Sequence, residues 1–162
     1  MGYWIKENFS FQELQRIMFR LIERVDVFAG LTQQELVQLL EHSEKCTFDP
    51  GEAIVREGSS GAFLYVIIEG NVSVLKTGTS KRGTELARLG SGDSFGEISL
   101  VDQRERSATV VALTPCVLLR LSESECWRLP QISAKIFRNL ACILAKRLRD
   151  MDEAYVLVRP KG

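Results

Sequence analysis

The chain has 162 residues, enough for one domain with helical appendages and a core of real size. Hydrophobic residues make up 45% and charged residues 26%, the balance of a soluble globular protein. Formal net charge is +0, so the basic surplus with which proteins grip nucleic acid is missing. Cys46, Cys116, Cys126 and Cys142 form no CxxC pair, and His42 is the only histidine, so metal and thiol chemistry lack their residues. His42 falls in a helix-like stretch, where a solvated polar role is expected. No apolar run approaches the ~20 residues of a membrane span, and no secretory segment opens the chain. With its cysteines scattered, a cytoplasmic protein with no metal, membrane or nucleic-acid partner is expected.

Residues 1–44 read as an N-terminal helical segment. Ser10 and Glu13 have the spacing of a capping box, and Phe11, Leu14, Met18, Leu21, Val25 and Phe28 follow as one apolar stripe. A second box, Thr32 to Glu35, opens a short helix with Leu36, Val37, Leu39 and Leu40, and Gly30 predicts the break between the two. Across 45–121 the periodicity changes. Strand-like runs at Ala53–Arg56, Phe63–Ile68, Val72–Lys76, Thr84–Leu89, Ala108–Ala112 and Val117–Leu121 alternate with glycine turns. That pattern predicts a mainly β fold, a compact antiparallel barrel or jelly roll, with flanking helices.

Residues 122–162 return to helix. Ser122 and Glu125 suggest a third capping box, and Pro130 suits the first turn of a long helix. Along it Phe137, Ala141, Leu144, Leu148, Met151, Tyr155 and Val158 recur in alternating steps of four and three. A second line, Ile132, Ile136, Leu140 and Ile143, stops halfway. The first half should pack on the barrel. The second keeps only the narrow seam with which a helix pairs with its own copy, so a homodimer through Phe137, Leu144, Leu148, Met151 and Tyr155 is expected.

Within the roll, residues 95–112 (FGEISLVDQRERSATVVA) form its one helical interruption. Gly96 and Glu97 would open a short helix, Gly96 to Leu100, and a charged loop from Asp102 would return Arg106 to the same place. A helix start and an arginine together suit a phosphate. The plainer reading is a surface Glu97–Arg106 ion pair worth ~0–1 kcal/mol.

The segment from Phe48 to Leu75 (FDPGEAIVREGSSGAFLYVIIEGNVSVL), together with 95–112, resembles the cyclic nucleotide-binding domain. That family includes the catabolite activator protein, the protein kinase A regulatory subunits and the nucleotide-gated channels. The similarity runs over about residues 26–150. It implies an eight-stranded antiparallel β-roll with N-terminal helices, a short phosphate-cassette helix and a long C-terminal helix as lid. It also implies that Arg106 binds the cyclic phosphate and that Glu97 accepts the ribose 2′-hydroxyl. Gly96, Ile98 and Ser99 match backbone positions at the cassette helix start, and Ser107 puts a hydroxyl within reach of phosphate. Val74, Leu86 and Ala87 match strand positions lining the base pocket, and plain barrel core is the alternative for all three.

Two departures concern the base. Glu105 stands where many members have proline, and Asp150-Met151-Asp152 stands where the catabolite-activator branch reads adenine with a Thr-Ser pair. The ligand implied is therefore cAMP or cGMP. With few residues after the long helix, the helix-turn-helix of the transcription-factor branch is not expected. A stand-alone sensor, or one module of a longer protein acting on an effector, is expected. A ligand-free interaction scaffold is the alternative, suggested by the stripe from Phe11 to Phe28. An enzyme is disfavoured, because Ser107 shows no neighbouring base and Glu97 no second acid.

Overall fold

The run FLYVIIE is apolar at every position but its last, which leaves no polar face for solvent and predicts a strand covered on both sides. The computed structural model describes residues 12, 17, 18, 21, 23–78 and 83–158, and it places this run inside a four-stranded sheet. The strands are β1 (Glu44–Phe48), β2 (Ala53–Val55), β3 (Phe63–Glu69), β4 (Val72–Lys76), β5 (Thr84–Leu89), β6 (Ser94–Phe95), β7 (Thr109–Ala112) and β8 (Cys116–Ser122). One sheet has the order β1-β8-β3-β6 and the other β2-β7-β4-β5, with every pairing antiparallel. This is the mainly β roll expected. The two strands without a sequence signal were β1, whose residues mix charge with apolarity, and the two-residue β6.

The helices are α1 (Gln33–Glu41), α2 (Glu97–Asp102), α3 (Glu123–Trp127) and α4 (Pro130–Val158). Leu64, Val66 and Ile68 of β3 and Leu119 and Leu121 of β8 turn outward, under Leu36, Leu39, Ile132, Ile136 and Leu140 of the helices. Tyr65 and Ile67 turn inward to meet Ile54, Val72, Val110 and Leu118. Each such side chain contributes ~1.5–3 kcal/mol by leaving water.

The N-terminal stripe is spent on this outer face. Leu21, Val25 and Phe28 are buried in the same cluster, with neighbouring Ile17, and Met18 is partly buried against it, so at the described positions the stripe packs within the chain. The helix also ends earlier than Gly30 predicted. Arg24 is helical, Val25 is extended, and a 3-10 turn, Asp26–Phe28, carries the chain to Gly30. Ser10, Phe11, Glu13 and Leu14 lie outside the described residues.

The Thr32 capping box is closed from both sides: the Thr32 amide donates to Glu35 Oε2 at 2.8 Å, and the Glu35 amide to Thr32 Oγ1 at 3.2 Å. The box at Ser122 is only half made. The Glu125 amide donates to Ser122 Oγ at 3.2 Å, but the Glu125 carboxylate turns to His42, whose Nδ1 is 3.0 Å from Oε2. His42 is thus half-buried against the Glu125 carboxylate, between the end of α1 and α3, rather than merely solvated.

The first half of α4 is bolted to the N-terminal unit. Lys135 Nζ donates to both Glu35 oxygens, at 2.7 and 2.8 Å, and buried Asn139 donates to the carbonyls of Val27 and Ala29 at 3.1 and 2.8 Å. Those two carbonyls belong to the 3-10 turn and to the residue that caps it, where no regular ladder would satisfy them. Farther along, Leu148, Met151 and Tyr155 are 60%, 68% and 62% exposed. Among the described residues, no helix is long and apolar enough to cross a membrane.

Candidate functional site

The site begins where β6 ends. Gly96 takes a left-handed φ of 85° and caps α2, and a Cβ there would stand 2.5 Å from the Phe63 carbonyl oxygen and 2.6 Å from Arg106 Nη1. Only glycine fits, on conformation and on space. The helix runs two residues beyond the predicted Leu100, to Asp102. Gln103 at φ 56° then turns the chain, with its side-chain Nε2 donating to Glu123 Oε1 at 2.8 Å.

The returning loop delivers Arg106 into a frame made by others. Its own amide donates to Ser59 O and its carbonyl accepts from the Gly58 amide, both at 2.9 Å. Its Nη1 donates to the carbonyls of Phe63, at 3.0 Å, and Gly96, at 3.3 Å. The guanidinium lies 5.6 Å from the centroid of Tyr65, whose ring stacks on Phe95 at 5.0 Å. Arg106 is only 5% exposed. Burial draws its pKa below the usual guanidinium value, opposed only by Tyr65, yet arginine stays charged. Among the described residues no carboxylate faces it.

The Glu97–Arg106 pair of the plainer reading is therefore not formed. Glu97 is 2% exposed and pairs with Arg147 of α4 through Oε1, a buried atom that accepts no hydrogen bond of ordinary geometry. Arg147 Nη2 also donates to Ser94 O at 3.0 Å, so a single side chain ties α4 to both β6 and α2. Arg147 was missed in the sequence, although a signal exists. It occupies the next place on the line Ile132, Ile136, Leu140, Ile143, and the apolar line stops there because the helix passes from core to cassette.

Among the other site residues, Ser99 is buried and Ile98 is 45% exposed. Ser107 is exposed, and it does have a lysine beside it: Lys76 Nζ donates to its carbonyl at 2.5 Å. This corrects the expectation of no base nearby, but the ammonium is already committed to that carbonyl and to Glu57, 2.6 Å away, and so cannot take a proton. Val74 packs against the inner core and pairs with Ala87 across the β4–β5 ladder. Ala87 is exposed and Leu86 is 59% exposed, both on the edge strand, so neither is plain barrel core. No cluster of metal ligands occurs among the described residues. What the geometry offers is a buried cation that meets no counter-ion among the described residues and, nearby, a buried carboxylate held by the lid helix.

The family model for the cyclic nucleotide-binding domain matches residues 45–133. The cyclic AMP receptor protein of Thermus thermophilus is 35% identical over 126 residues, covering 78% of this chain and 58% of the relative. The cGMP-dependent protein kinase, isozyme 1, of Drosophila melanogaster is 30% identical over 154 residues, covering 89% of this chain and 19% of the relative. The chain thus spans less than two thirds of either relative. A solved cyclic nucleotide-binding domain from Methylobacillus flagellatus superposes with a TM-score of 0.82 at 23% identity, covering 98% of this chain and 90% of that one, and shares its fold. On the matched cassette and the roll that carries it, the chain belongs to the cyclic nucleotide-binding domain family.

Proposed function

We propose that this chain is a regulatory module that binds a purine 3′,5′-cyclic nucleotide, cAMP or cGMP, and converts occupancy into movement of α4. The observation that carries the reading is Arg106, 5% exposed and without an acidic neighbour among the described residues. A guanidinium left so is costly, by several kcal/mol, unless an anion completes its surroundings. A cyclic phosphate brings the single negative charge that it lacks. Glu97 would take the ribose hydroxyl, the amides around Gly96, Ile98 and Ser99 and the Ser107 hydroxyl would reach the phosphate, and the base would lie along Val74, Leu86 and Ala87.

Coupling follows from a shared carboxylate. Glu97 holds Arg147 of α4 and, on this reading, also receives the sugar, so the ligand changes the hold on the lid helix. Lys135 and Asn139 tie that helix to the N-terminal unit, which would move with it. Such a ligand shifts the equilibrium only by its differential affinity for the two arrangements. Calorimetric titration with cAMP, cGMP and their 2′-deoxy analogues tests the site. Binding of at least one ribonucleotide, with weaker binding of its deoxy form, is expected; no heat with any of them would refute it. Arg147→Gln should keep phosphate binding while reducing the change in α4 amide exchange on ligation.

The dimer is proposed on a shorter seam. Phe137 stacks on Trp127 at 5.1 Å between ring centroids and packs on the core, which removes it from the set. Half-buried Leu144 and the exposed Leu148, Met151 and Tyr155 remain at the spacing of a helix pair. Sedimentation should give a dimer that Leu148→Asp with Met151→Asp converts to monomer; a wild-type monomer at high concentration would count against it.

A further inference from the structure

We propose that Lys76 and Glu57 act as positioning residues, a clip that holds the main chain at Arg106 and Ser107 and so aims the guanidinium at its anion. The inference rests on the cyclic nucleotide reading of the site, and it concerns two residues outside the cassette.

The β4–β7 ladder ends at Leu75↔Thr109. Beyond it the chain leaving Arg106 has no strand to lie against, and the Lys76 side chain takes over, donating to Ser107 O at 2.5 Å. The same ammonium stands 2.6 Å from Glu57 Oε1. Glu57 is fixed in turn, because its Oε2 accepts from the Thr77 amide at 2.8 Å and its own amide donates to Thr109 Oγ1 at 3.0 Å. The result is a closed ring of Glu57, Lys76, Ser107 and Thr109 across three strand ends.

Glu57 also begins the turn that frames Arg106, since Gly58 and Ser59 bond the Arg106 carbonyl and amide. Both ends of the clip therefore converge on one short segment, Lys76 at the Ser107 carbonyl and the Glu57 turn at the amide and carbonyl of Arg106. The hydrogen bonds from Lys76 and the Thr77 amide pull the Glu57 carboxyl down to about 2, so the clip keeps its charge at any physiological pH. A half-exposed ion pair by itself would contribute little to stability. The distinction is that Lys76 spends another proton on a main-chain oxygen next to the anion-binding residue.

The test uses the full chain as Lys76→Met, Lys76→Arg and Glu57→Gln. Two measurements are made: affinity for the cyclic nucleotide and for its Sp and Rp phosphorothioates, and exchange of the Arg106 and Gly58 amides without ligand. The two isomers put sulfur on different phosphate oxygens, so their affinity ratio reports how the guanidinium is aimed. Lys76→Met and Glu57→Gln should each weaken binding about tenfold, the size of a lost charge-assisted hydrogen bond. Both should narrow the isomer ratio and speed exchange at Arg106 while leaving β3 amides unchanged, and Lys76→Arg should restore the ratio. Wild-type affinity and ratio in Lys76→Met would overturn the clip, as would an equal loss for both isomers with Arg106 exchange unaltered. A wild-type chain that takes no cyclic nucleotide would overturn the site reading instead. The exchange measurement still decides whether the clip holds the peptide.

Discussion

Replacing Arg106 with alanine is expected to lower affinity for the cyclic nucleotide by ~3–5 kcal/mol, more than a hundredfold, because a buried anion would lose its partner. The variant should nevertheless fold. In the wild-type chain the guanidinium is buried against the Phe63 and Gly96 carbonyls and the Tyr65 face, without a counter-charge among the described residues. Removing it relieves a desolvation cost, although the two carbonyls lose a donor. The melting temperature of Arg106→Ala should therefore lie close to that of wild type in the absence of ligand, while the ligand-induced rise disappears. Arg106→Lys should fall between, since an ammonium keeps the charge but loses the planar fork. Calorimetry and thermal melts check both halves. Undiminished binding by Arg106→Ala would remove the anion site.

The second large effect is expected at Gly96. Alanine there would set a Cβ 2.5 Å from the Phe63 carbonyl oxygen, a backbone atom that cannot swing aside, and 2.6 Å from Arg106 Nη1. The left-handed φ of 85° adds strain of about 1 kcal/mol for a residue with a Cβ. The clash must push apart β3, β6 and the arginine, so Gly96→Ala should lose both stability, by roughly 2–4 kcal/mol in urea unfolding, and nucleotide affinity. Gly30 is the control. Its φ of 77° is equally left-handed, but nothing lies within 4 Å of the added carbon. Gly30→Ala should cost only the local strain, about 1 kcal/mol, and leave affinity unchanged. Equal behaviour of the two variants would mean that conformation, not the crowding around Arg106, explains the need for glycine.

Much of this fold was legible because its signals are local. Glycine turns separated the strand runs, and Val72–Lys76 and Thr84–Leu89 begin and end where their residues suggested. Thr32 and Glu35 closed the capping box because both partners lie within a single turn. The box at Ser122 failed for a nonlocal reason: His42, brought in by α1, competes for the same Glu125 carboxylate. Similarly, β1 and β6 gained their strand conformation from neighbours, β8 for one and β3 for the other, rather than from their own residues.

The site divides along the same line. Residues 95–112 hold Gly96, Glu97, Arg106 and Ser107 within a single stretch, and the family resemblance of that stretch named the ligand class. By itself, then, the sequence determined the roll and the place of the long helix, since each follows from side-chain periodicity, while the cassette was implied by the resemblance of residues 95–112. Which charge meets which was decided only by the tertiary structure. Glu97 and Arg106, adjacent enough to suggest an ion pair, are each buried with other partners, and the arginine that reaches Glu97 comes from α4. Lys76 and Glu57 likewise meet Ser107 only because three strand ends converge there. The helix line could place Arg147 on the packed face, but which partner it meets there depends on what packs above it, and the local order of amino acids does not record that.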